Sequence, residues 1–284
     1  MGAVTDLRTD DDIDVDVTVL GLGRMGRAMA ERYDASDKRV ATWSRSHPGT
    51  AATAVDAARR SGTIVLALFD DRACHDVLEG VGADVAGRLV VNTSTVSVAG
   101  AEVLAARVAS AGGRYVHAPV LGSVPAVLTG TLRVLAGGSR CDVADAARAL
   151  ESVAAEVRHV GSPGDAAAAK LLANSSLASS VLALRDSLEA AAALGLPLPD
   201  ALDVLELGRL GDVVRAVRTR LRAPEAEANF SVSAIAKDVG LLAEDGGPHG
   251  LADRIGALLD SGLVGPDDDF TALAVPVADR VATR

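Results

Sequence analysis

The sequence is poor in aromatic residues and carries no excess of positive charge. Phe, Trp and Tyr together make up only 2% of the 284 residues, which argues against base stacking as a mode of binding. The formal net charge of −10 argues against nucleic acid or an anionic membrane as the main partner, because phosphate groups are bound by a local excess of Lys and Arg. We therefore expect neither nucleic acid nor membrane as a partner.

Cysteine is also scarce. The chain has only Cys74 and Cys141, which are too few for a disulfide framework and lack the spacing of metal ligands. We expect both to be small buried side chains, and we expect no metal site. The first residues are acidic and do not resemble a secretory signal, which favours a cytoplasmic location. The longest uncharged stretch, 171–184, is too short to span a bilayer and predicts a buried helix.

Short apolar segments alternate with helix-like segments in the first half of the chain. The apolar segments lie at 15–20, 39–43, 63–68, 89–92, 115–118, 132–136 and 157–160, and helices are predicted after residue 23 and at 51–60, 72–78 and 98–111. This alternation indicates parallel βαβ units. It predicts an α/β domain of the Rossmann type over 15–161, with a doubly wound, parallel-rich sheet, after an acidic segment over 1–14.

The second half of the chain has a helical pattern throughout. Ser162 and Pro163 provide a helix start, and the pattern continues to Leu194, just before Gly195. We expect the segment 162–194 to be a long helix between two domains, and 195–284 to be an all-α domain. Further helices are predicted at 200–207, 212–222, 231–244, 251–261 and 270–281.

A glycine-rich loop, GLGRMG, follows the first predicted strand. Gly21, Gly23 and Gly26 match the GxGxxG fingerprint, which provides a tight turn, a close approach of backbone to pyrophosphate, and close packing of helix on strand. The following helix N-terminus favours an anion. The predicted cofactor-binding residues of the loop are Gly21, Leu22, Gly23, Arg24, Met25 and Gly26.

The second predicted strand ends in TWSRS, where a cofactor without a 2′-phosphate would call for an acidic residue. Ser44, Arg45 and Ser46 stand there instead, and a guanidinium flanked by two hydroxyls suits a 2′-phosphate. We therefore predict NADP(H) rather than NAD(H). The alternative is that Arg45 is a solvated turn residue.

Lys170 lies four residues before Asn174, so a helix would carry both on one face. An ammonium near a carbonyl oxygen can stabilise and protonate it as hydride reaches the carbon, and a neutral lysine can take the alcohol proton in the reverse direction. Without other motifs, a lysine extending from an alanine-rich helix to solvent would be the preferred explanation of Lys170.

Five segments together resemble the β-hydroxyacid dehydrogenase family. They are the glycine loop, NTSTVS at 92–97, APVLGSVPAVLTGTLRVLAGG at 118–138, the Lys170 helix, and FSVSAIAKD at 230–238, and the resemblance extends to DDDFTAL at 267–273. The chain is similar to 3-hydroxyisobutyrate dehydrogenases and to glyoxylate and succinic semialdehyde reductases. Imine reductases share this architecture.

The resemblance implies an active site in a cleft between the two domains. It makes Lys170 the catalytic acid or base and Asn174 its neighbour that helps to hold the substrate. It also implies that Lys237 contacts the cofactor and that Thr95 contacts both the cofactor and the substrate. The further residues implied to contact the substrate are Ser94, Gly122, Ser123 and Asp238. Phe230 is expected either to line the substrate pocket or to belong to the core.

Two residues depart from the family pattern. Leu121 stands where members commonly carry a serine, which removes a hydroxyl from the expected substrate loop of Leu121, Gly122 and Ser123. His117 replaces the usual acid before the APV segment, and a histidine at a strand end is more often structural than catalytic. These changes bear on the identity of the substrate more than on the type of reaction.

The sequence therefore predicts an NADPH-dependent oxidoreductase that interconverts a small hydroxyacid and its carbonyl compound. One alternative is an imine reductase, although those enzymes usually carry Asp or Tyr where Lys170 stands. Another is a non-catalytic NADP(H)-binding sensor, which would need no proton donor. The long helix and the alanine-rich second half predict a homodimer or homotetramer.

Overall fold

The computed structural model describes residues 13–224 and 226–275, so most of the acidic segment 1–14 lies outside the described residues. The chain divides into two compact units, Met1–Lys170 and Leu171–Arg284. Their boundary falls within the long helix, whereas the sequence suggested boundaries at its two ends.

The first unit alternates strands and helices. Its elements are β1 (Val17–Leu20), α1 (Arg24–Asp34), β2 (Val40–Trp43), α2 (Ala54–Arg59), β3 (Thr63–Leu66), α3 (Asp71–Val81), a 3-10 turn (Gly82–Val85), β4 (Leu89–Asn92), α4 (Val98–Ser110), β5 (Arg114–His117), β6 (Val120–Leu121), α5 (Val124–Leu128), β7 (Leu132–Gly137), α6 (Arg140–Ala149) and β8 (Ala154–Gly161). The prediction of a doubly wound, parallel-rich domain is confirmed.

The strands form one sheet in the order β2-β1-β3-β4-β5-β7-β6, and β8 pairs with β7. Strands β1 to β5 are parallel, whereas β7 runs antiparallel to β5 and β6. The chain moves from β1 to β2 on one side and then returns to place β3 on the other side of β1. The crevice at the carboxyl ends of β1 and β3 is therefore the switch point at which such sheets bind ligands.

Both faces of the sheet are buried. Successive strand residues point to opposite faces, and each set packs in its own apolar cluster. Val19 and Val65 join an apolar cluster with Met29 of α1, while Leu20 and Ile64 join a second cluster with helices α2 to α4. Side-chain caps fix where several helices begin. The cap residues are Thr53, Asp70, Ser97 and Ser139, each accepting a backbone N–H from the first turn of its helix.

The sequence-based prediction omitted β6, α5 and α6, which are too short or too polar to show a clear period. The structure also corrects the expectation for Cys141, which is exposed, while Cys74 is buried as predicted. Cys141 lies in the first turn of α6, and this helix buries Val143 and Ala146, so position 141 falls on its outer side.

The second unit is helical in its described residues. Helix α7 (Pro163–Ala193) begins in the first unit and continues into the second, which also contains α8 (Leu198–Glu206), α9 (Gly211–Arg222), α10 (Val232–Glu244), α11 (Gly250–Asp260) and a 3-10 turn (Phe270–Leu273). The core of this unit contains Val181 and Leu182 of α7, with Val214, Ile235 and Ile255 from the other helices.

Helix α7 is long and apolar enough to cross a membrane by length and composition alone, a test that core helices also pass. Its buried residues in the second unit include Leu171, Ala178, Val181 and Leu188, which recur at the spacing of one helix face. This stripe is typical of a helix that packs on a protein core.

The predicted helix over 270–281 is wrong in its described part. Only a 3-10 turn forms at Phe270–Leu273. Asp269 caps its start by accepting hydrogen bonds from the backbone N–H and the hydroxyl of Thr271, and the turn ends at Ala274. The remainder of that segment, 276–281, lies outside the described residues.

Candidate active site

The glycine loop follows β1 and needs glycine at two positions for reasons of its own geometry. Gly21 has φ +105°, and a Cβ there would lie 2.4 Å from the Ala67 carbonyl oxygen. A Cβ on Gly26 would lie 1.8 Å from the Gly21 carbonyl oxygen. These two residues therefore allow the tight turn and the close packing of α1 on the sheet.

Gly23 differs from both. It is exposed, its φ of −65° suits any residue, and among the described residues beyond its chain neighbours no atom lies within 4 Å of a Cβ placed there. The fold gives no reason for glycine at this position. Open space at the helix start is what a close approach of a pyrophosphate requires, so this loop fits a dinucleotide.

The start of α1 is suited to an anion. Gly23 is its N-cap, no side chain caps this end, and its first turn has no acidic residue. The N-terminal end of a helix carries a partial positive charge, which favours phosphate. Leu22 is buried and Met25 packs against the core, so both hold the loop in place, and their predicted contacts with a cofactor stay predictions.

The predicted 2′-phosphate site lies beside this loop. Leu20 pairs with Trp43 in the parallel register of β1 and β2, and Gly21 N–H donates to the Trp43 carbonyl at 2.8 Å. Ser44, Arg45 and Ser46 follow directly, and Arg45 and Ser46 are exposed. A guanidinium and hydroxyls therefore lie at the carboxyl end of β2, next to the glycine loop at the carboxyl end of β1.

The loop after β4 places Ser94 inward. Ser94 is 4% exposed, and its Oγ accepts the Leu68 N–H at 2.9 Å. Thr95 is half-buried. Ser94 thus links the loops after β3 and β4, and its contact with a substrate stays a prediction, as does the role of Thr95.

A buried polar network that sequence reasoning missed lies beneath this loop. Ser94 N–H donates to Asn92 Oδ1 at 3.0 Å, which fixes the orientation of the amide, and Asn92 Nδ2 donates to the Tyr115 hydroxyl at 3.0 Å. That hydroxyl lies 3.4 Å from His117 Nδ1. The sequence signal was available, since Asn92 ends one apolar strand, and Tyr115 and His117 alternate on one face of the next.

The groups in this network are uncharged. Burial lowers the pKa of His117 to about 3. The Cys74 thiol also belongs to the network, since its Sγ lies 3.6 Å from Asn92 Nδ2, and burial raises its pKa to about 11. Burial also raises the pKa of Tyr115. His117 Nε2 is buried and has no hydrogen-bond partner among the described residues. His117 therefore acts as a structural group, which agrees with the preference stated from its position at a strand end.

The predicted substrate loop lies at the end of β6. Gly122 has φ +128°, a conformation that favours glycine, and a Cβ there would lie 2.8 Å from Leu132 Cδ2. Leu121 pairs with Arg133 of β7, and Ser123 is the N-cap of α5 without a side-chain capping bond. Their predicted contacts with a substrate stay predictions.

In the second unit, three predicted site residues lie together. Asn174 and Asp238 are 5% and 2% exposed, and Asn174 Nδ2 donates to Asp238 Oδ2. Lys237 Nζ lies 2.9 Å from Asp238 Oδ1 in an ion pair. The Asp238 carboxylate therefore faces an amide with one oxygen and an ammonium with the other.

Lys170 and Phe230 have different surroundings. Lys170 is half-buried on α7, one turn before Asn174 on the same helix. The Phe230 ring packs 6.2 Å from the Phe270 ring and contacts the core of the second unit. Of the two roles expected for Phe230, the structure supports the core role, and the substrate role stays a prediction.

Comparison with known proteins gives a consistent result. Residues 16–161 match the protein family described as the NAD binding domain of 6-phosphogluconate dehydrogenase. A probable 3-hydroxyisobutyrate dehydrogenase of Mycobacterium tuberculosis is 27% identical over 249 residues, covering 79% of this chain and 83% of that protein.

Two solved structures are similar in fold. The Mycobacterium tuberculosis 3-hydroxyisobutyrate dehydrogenase with L-serine has a TM-score of 0.80 at 23% identity, covering 92% of this chain and 98% of that one. The Streptomyces aurantiacus imine reductase has a TM-score of 0.59 at 26% identity, covering 91% of this chain and 98% of that one.

Proposed function

The chain belongs to the family defined by the NAD binding domain of 6-phosphogluconate dehydrogenase, and from that premise we propose an NADPH-dependent enzyme that interconverts a small hydroxyacid and its carbonyl compound. The family and its hydroxyacid dehydrogenase relatives support an oxidoreductase. The observation that carries the specific proposal is Lys170, half-buried one helical turn before the buried amide of Asn174. A dinucleotide-binding sensor would need neither group.

The nicotinamide, when bound, supplies hydride from C4 to the carbonyl carbon. Lys170 acts at the carbonyl oxygen, where negative charge develops: its ammonium stabilises that charge and then gives up a proton to form the alcohol. In the opposite direction, neutral Lys170 takes the proton of the alcohol as hydride leaves. Asn174 holds the substrate near the lysine, and its own orientation is set by Asp238.

The preference for NADP(H) is part of the proposal. It is supported by the exposed Arg45 between Ser44 and Ser46 and by the absence of an acidic residue in the segment 43–47, within the described residues at the end of β2. Arg45 would pair with a 2′-phosphate, and the hydroxyls would add hydrogen bonds.

An imine reductase is the second candidate, because a similar solved structure is one. In our interpretation Lys170 favours carbonyl reduction, since a protonated imine needs no further proton on its nitrogen.

We also propose a homodimer or homotetramer. The second unit exposes Leu172, Leu194, Val204 and Leu207 by 63% or more in this single chain, and a second copy could cover such residues. Light scattering tests the assembly, and a monomer would contradict it.

The test of function is oxidation of NADPH and of NADH in the presence of glyoxylate, succinic semialdehyde, methylmalonate semialdehyde and a cyclic imine. We expect turnover of at least one carbonyl acid, faster with NADPH. Turnover of the imine alone would favour the second candidate. Binding of NADPH without turnover of any compound would favour the sensor.

A further inference from the structure

Phe69 differs from every other aromatic residue of the chain in being exposed. All the aromatic residues lie within the described part of the chain, and the Phe69 side chain is 55% exposed. The others are buried or half-buried, namely Tyr33, Trp43, Tyr115, Phe230 and Phe270. A single exposed apolar side chain is common on protein surfaces, so the position of Phe69 decides what its exposure means.

Phe69 lies at the crevice where the sheet binds ligands. It follows the carboxyl end of β3, and the residue before it contacts the glycine loop, since a Cβ on Gly21 would lie 2.8 Å from Leu68 Cδ2. Strand β1 lies between β2 and β3, so the Gly21 turn separates Phe69 from the segment 44–46. Two strand spacings, about 10 Å, separate β2 from β3. An adenosine can bridge a gap of this size.

Hydrogen bonds hold the segment of Phe69 on both sides. Before it, the Leu68 N–H donates to Ser94 Oγ at 2.9 Å. After it, Asp71 Oδ1 accepts from the Ser97 hydroxyl at 2.7 Å. The loops after β3 and β4 are therefore tied together at two points, and Phe69 lies between these points. A ring on a fixed backbone loses little conformational freedom when a ligand covers it, which favours binding.

We propose that Phe69 binds the adenine of the cofactor, and that the base is recognised through contact of its face with the ring rather than through hydrogen bonds to its edge. This inference rests on the proposed function. The 2′-phosphate and the base are attached to adjacent carbons of one ribose. A base whose 2′-phosphate lies at Arg45 is therefore close to the segment on the other side of Gly21. The hydroxyl of Ser94 and the carboxylate of Asp71 already make hydrogen bonds within the protein, which favours stacking.

The low aromatic content of the chain agrees with this role. A strand of nucleic acid is bound by several aromatic rings in succession, whereas one ring is sufficient for one base. The proposed contact also differs from that of Arg45 in the part of the cofactor that it concerns. Arg45 would bind a phosphate that only NADP(H) carries, while Phe69 would bind a base that NADP(H) and NAD(H) share.

The test measures binding rather than turnover. The ligands are NADPH, NADH, adenosine 2′,5′-bisphosphate and reduced nicotinamide mononucleotide. Trp43 is the single tryptophan and reports the binding of reduced nicotinamide by energy transfer, while calorimetry measures the bisphosphate. The variants are Phe69→Ala and Phe69→Tyr. The matched control is Val103→Ala, which removes an apolar side chain that is 58% exposed on α4 of the same unit.

In Phe69→Ala, we expect the Kd to rise about tenfold for NADPH, for NADH and for the bisphosphate, as for the loss of one stacked base. Phe69→Tyr keeps the ring and should stay within about threefold of the unsubstituted protein. Reduced nicotinamide mononucleotide has no adenine, so its Kd should not change. The hypoxanthine analogue of NADPH should bind the unsubstituted protein within about threefold of NADPH, because stacking does not depend on the groups at the edge of the base.

Three results would overturn the inference. The first is an unchanged Kd for the bisphosphate in Phe69→Ala, with the protein folded by circular dichroism. The second is a loss of affinity for reduced nicotinamide mononucleotide instead, which would place Phe69 at the nicotinamide. The third is binding of the hypoxanthine analogue more than about tenfold weaker than NADPH, which would show recognition of the edge. If Phe69→Ala does not fold, Phe69→Leu takes its place in the same measurements.

Failure of the proposed function would look different. The unsubstituted protein would then turn over no carbonyl acid with either cofactor, whatever the effect of Phe69→Ala on binding. A protein that binds neither dinucleotide nor the bisphosphate would overturn both the proposed function and this inference.

Discussion

The two units hold their candidate site residues in different ways. In the first unit, the glycine loop and the Ser44–Ser46 segment follow neighbouring parallel strands, and backbone geometry decides where they lie. In the second unit, Asn174 and Asp238 come from helices α7 and α10, and a side-chain hydrogen bond brings them together. The first arrangement follows from strand order, whereas the second depends on how two helices pack.

The largest effect that would sharpen this comparison is expected at Lys170. Lys170→Ala should lower kcat by about 10²- to 10⁴-fold, because it removes the group that stabilises and protonates the carbonyl oxygen. NADPH affinity, measured by nucleotide fluorescence, should change little. Lys38→Ala, at a lysine that is 40% exposed and paired with Glu151, is the control for loss of a lysine. Near-normal turnover in Lys170→Ala would refute the mechanism.

Two glycines of one loop provide the next comparison. Gly26→Ala forces a Cβ against the Gly21 carbonyl and should lower the free energy of unfolding by about 1–3 kcal/mol. Gly23→Ala meets nothing in the protein, and the weaker helix cap should cost about 1 kcal/mol or less. Its NADPH affinity should nevertheless fall by at least about tenfold, because the methyl group occupies the space for pyrophosphate. Denaturant titration and nucleotide binding measure the two quantities, and equal cofactor affinity in Gly23→Ala would contradict the assignment of the loop.

A smaller effect is expected for substitution of Arg45, which follows the carboxyl end of β2. Arg45→Ala should raise the KM for NADPH by about 10- to 100-fold, as expected for the loss of a charged hydrogen-bonding pair, and should change the KM for NADH far less. Arg39→Ala, at an exposed arginine paired with Asp16 before the same strand, serves as the control. If both cofactors are affected equally, Arg45 does not bind a 2′-phosphate.

The smallest effect concerns pH and the buried network of the first unit. Burial lowers the pKa of His117 from 6.5 to about 3, so between these values the unfolded chain binds one more proton than the folded protein. The free energy of unfolding should therefore fall as the pH drops below 6.5, by at most about 1.4 kcal/mol per pH unit from this residue.

His117→Asn should make this pH dependence shallower, and His47→Asn, at an exposed histidine, is the matched control. Denaturant titrations between pH 4 and 8 would measure it, a range of about four units around the histidine transition. A slope that is the same in all three proteins would show that His117 is not buried in its neutral form.

The difference between the units also explains what could be predicted from the sequence. The apolar strands and the glycine loop carry strong local patterns, and the fold class and the cofactor loop followed from them. The 3-10 turn at Phe270–Leu273 depends on the side chain of Asp269, and the exposure of Cys141 depends on which face of α6 packs, so local pattern failed in both cases.

The candidate site shows the same limit. Spacing on one helix related Lys170 to Asn174, but the contact of Asn174 with Asp238 joins residues 64 positions apart. The inward orientation of Ser94 likewise depends on the Leu68 N–H, which belongs to a different loop. Sequence patterns identified these residues individually, and only packing revealed their partners.

The open space around Gly23 leads to different expected outcomes for two kinds of mutational survey of this protein. A survey of all substitutions scored by the abundance of folded protein would report Gly21 and Gly26 as intolerant and Gly23 as tolerant, since a Cβ clashes at the first two and meets nothing at the third. A second survey scored by turnover would report all three as intolerant. Positions at which the two surveys disagree would then outline the ligand on the protein surface, with Gly23 as the first point of that outline.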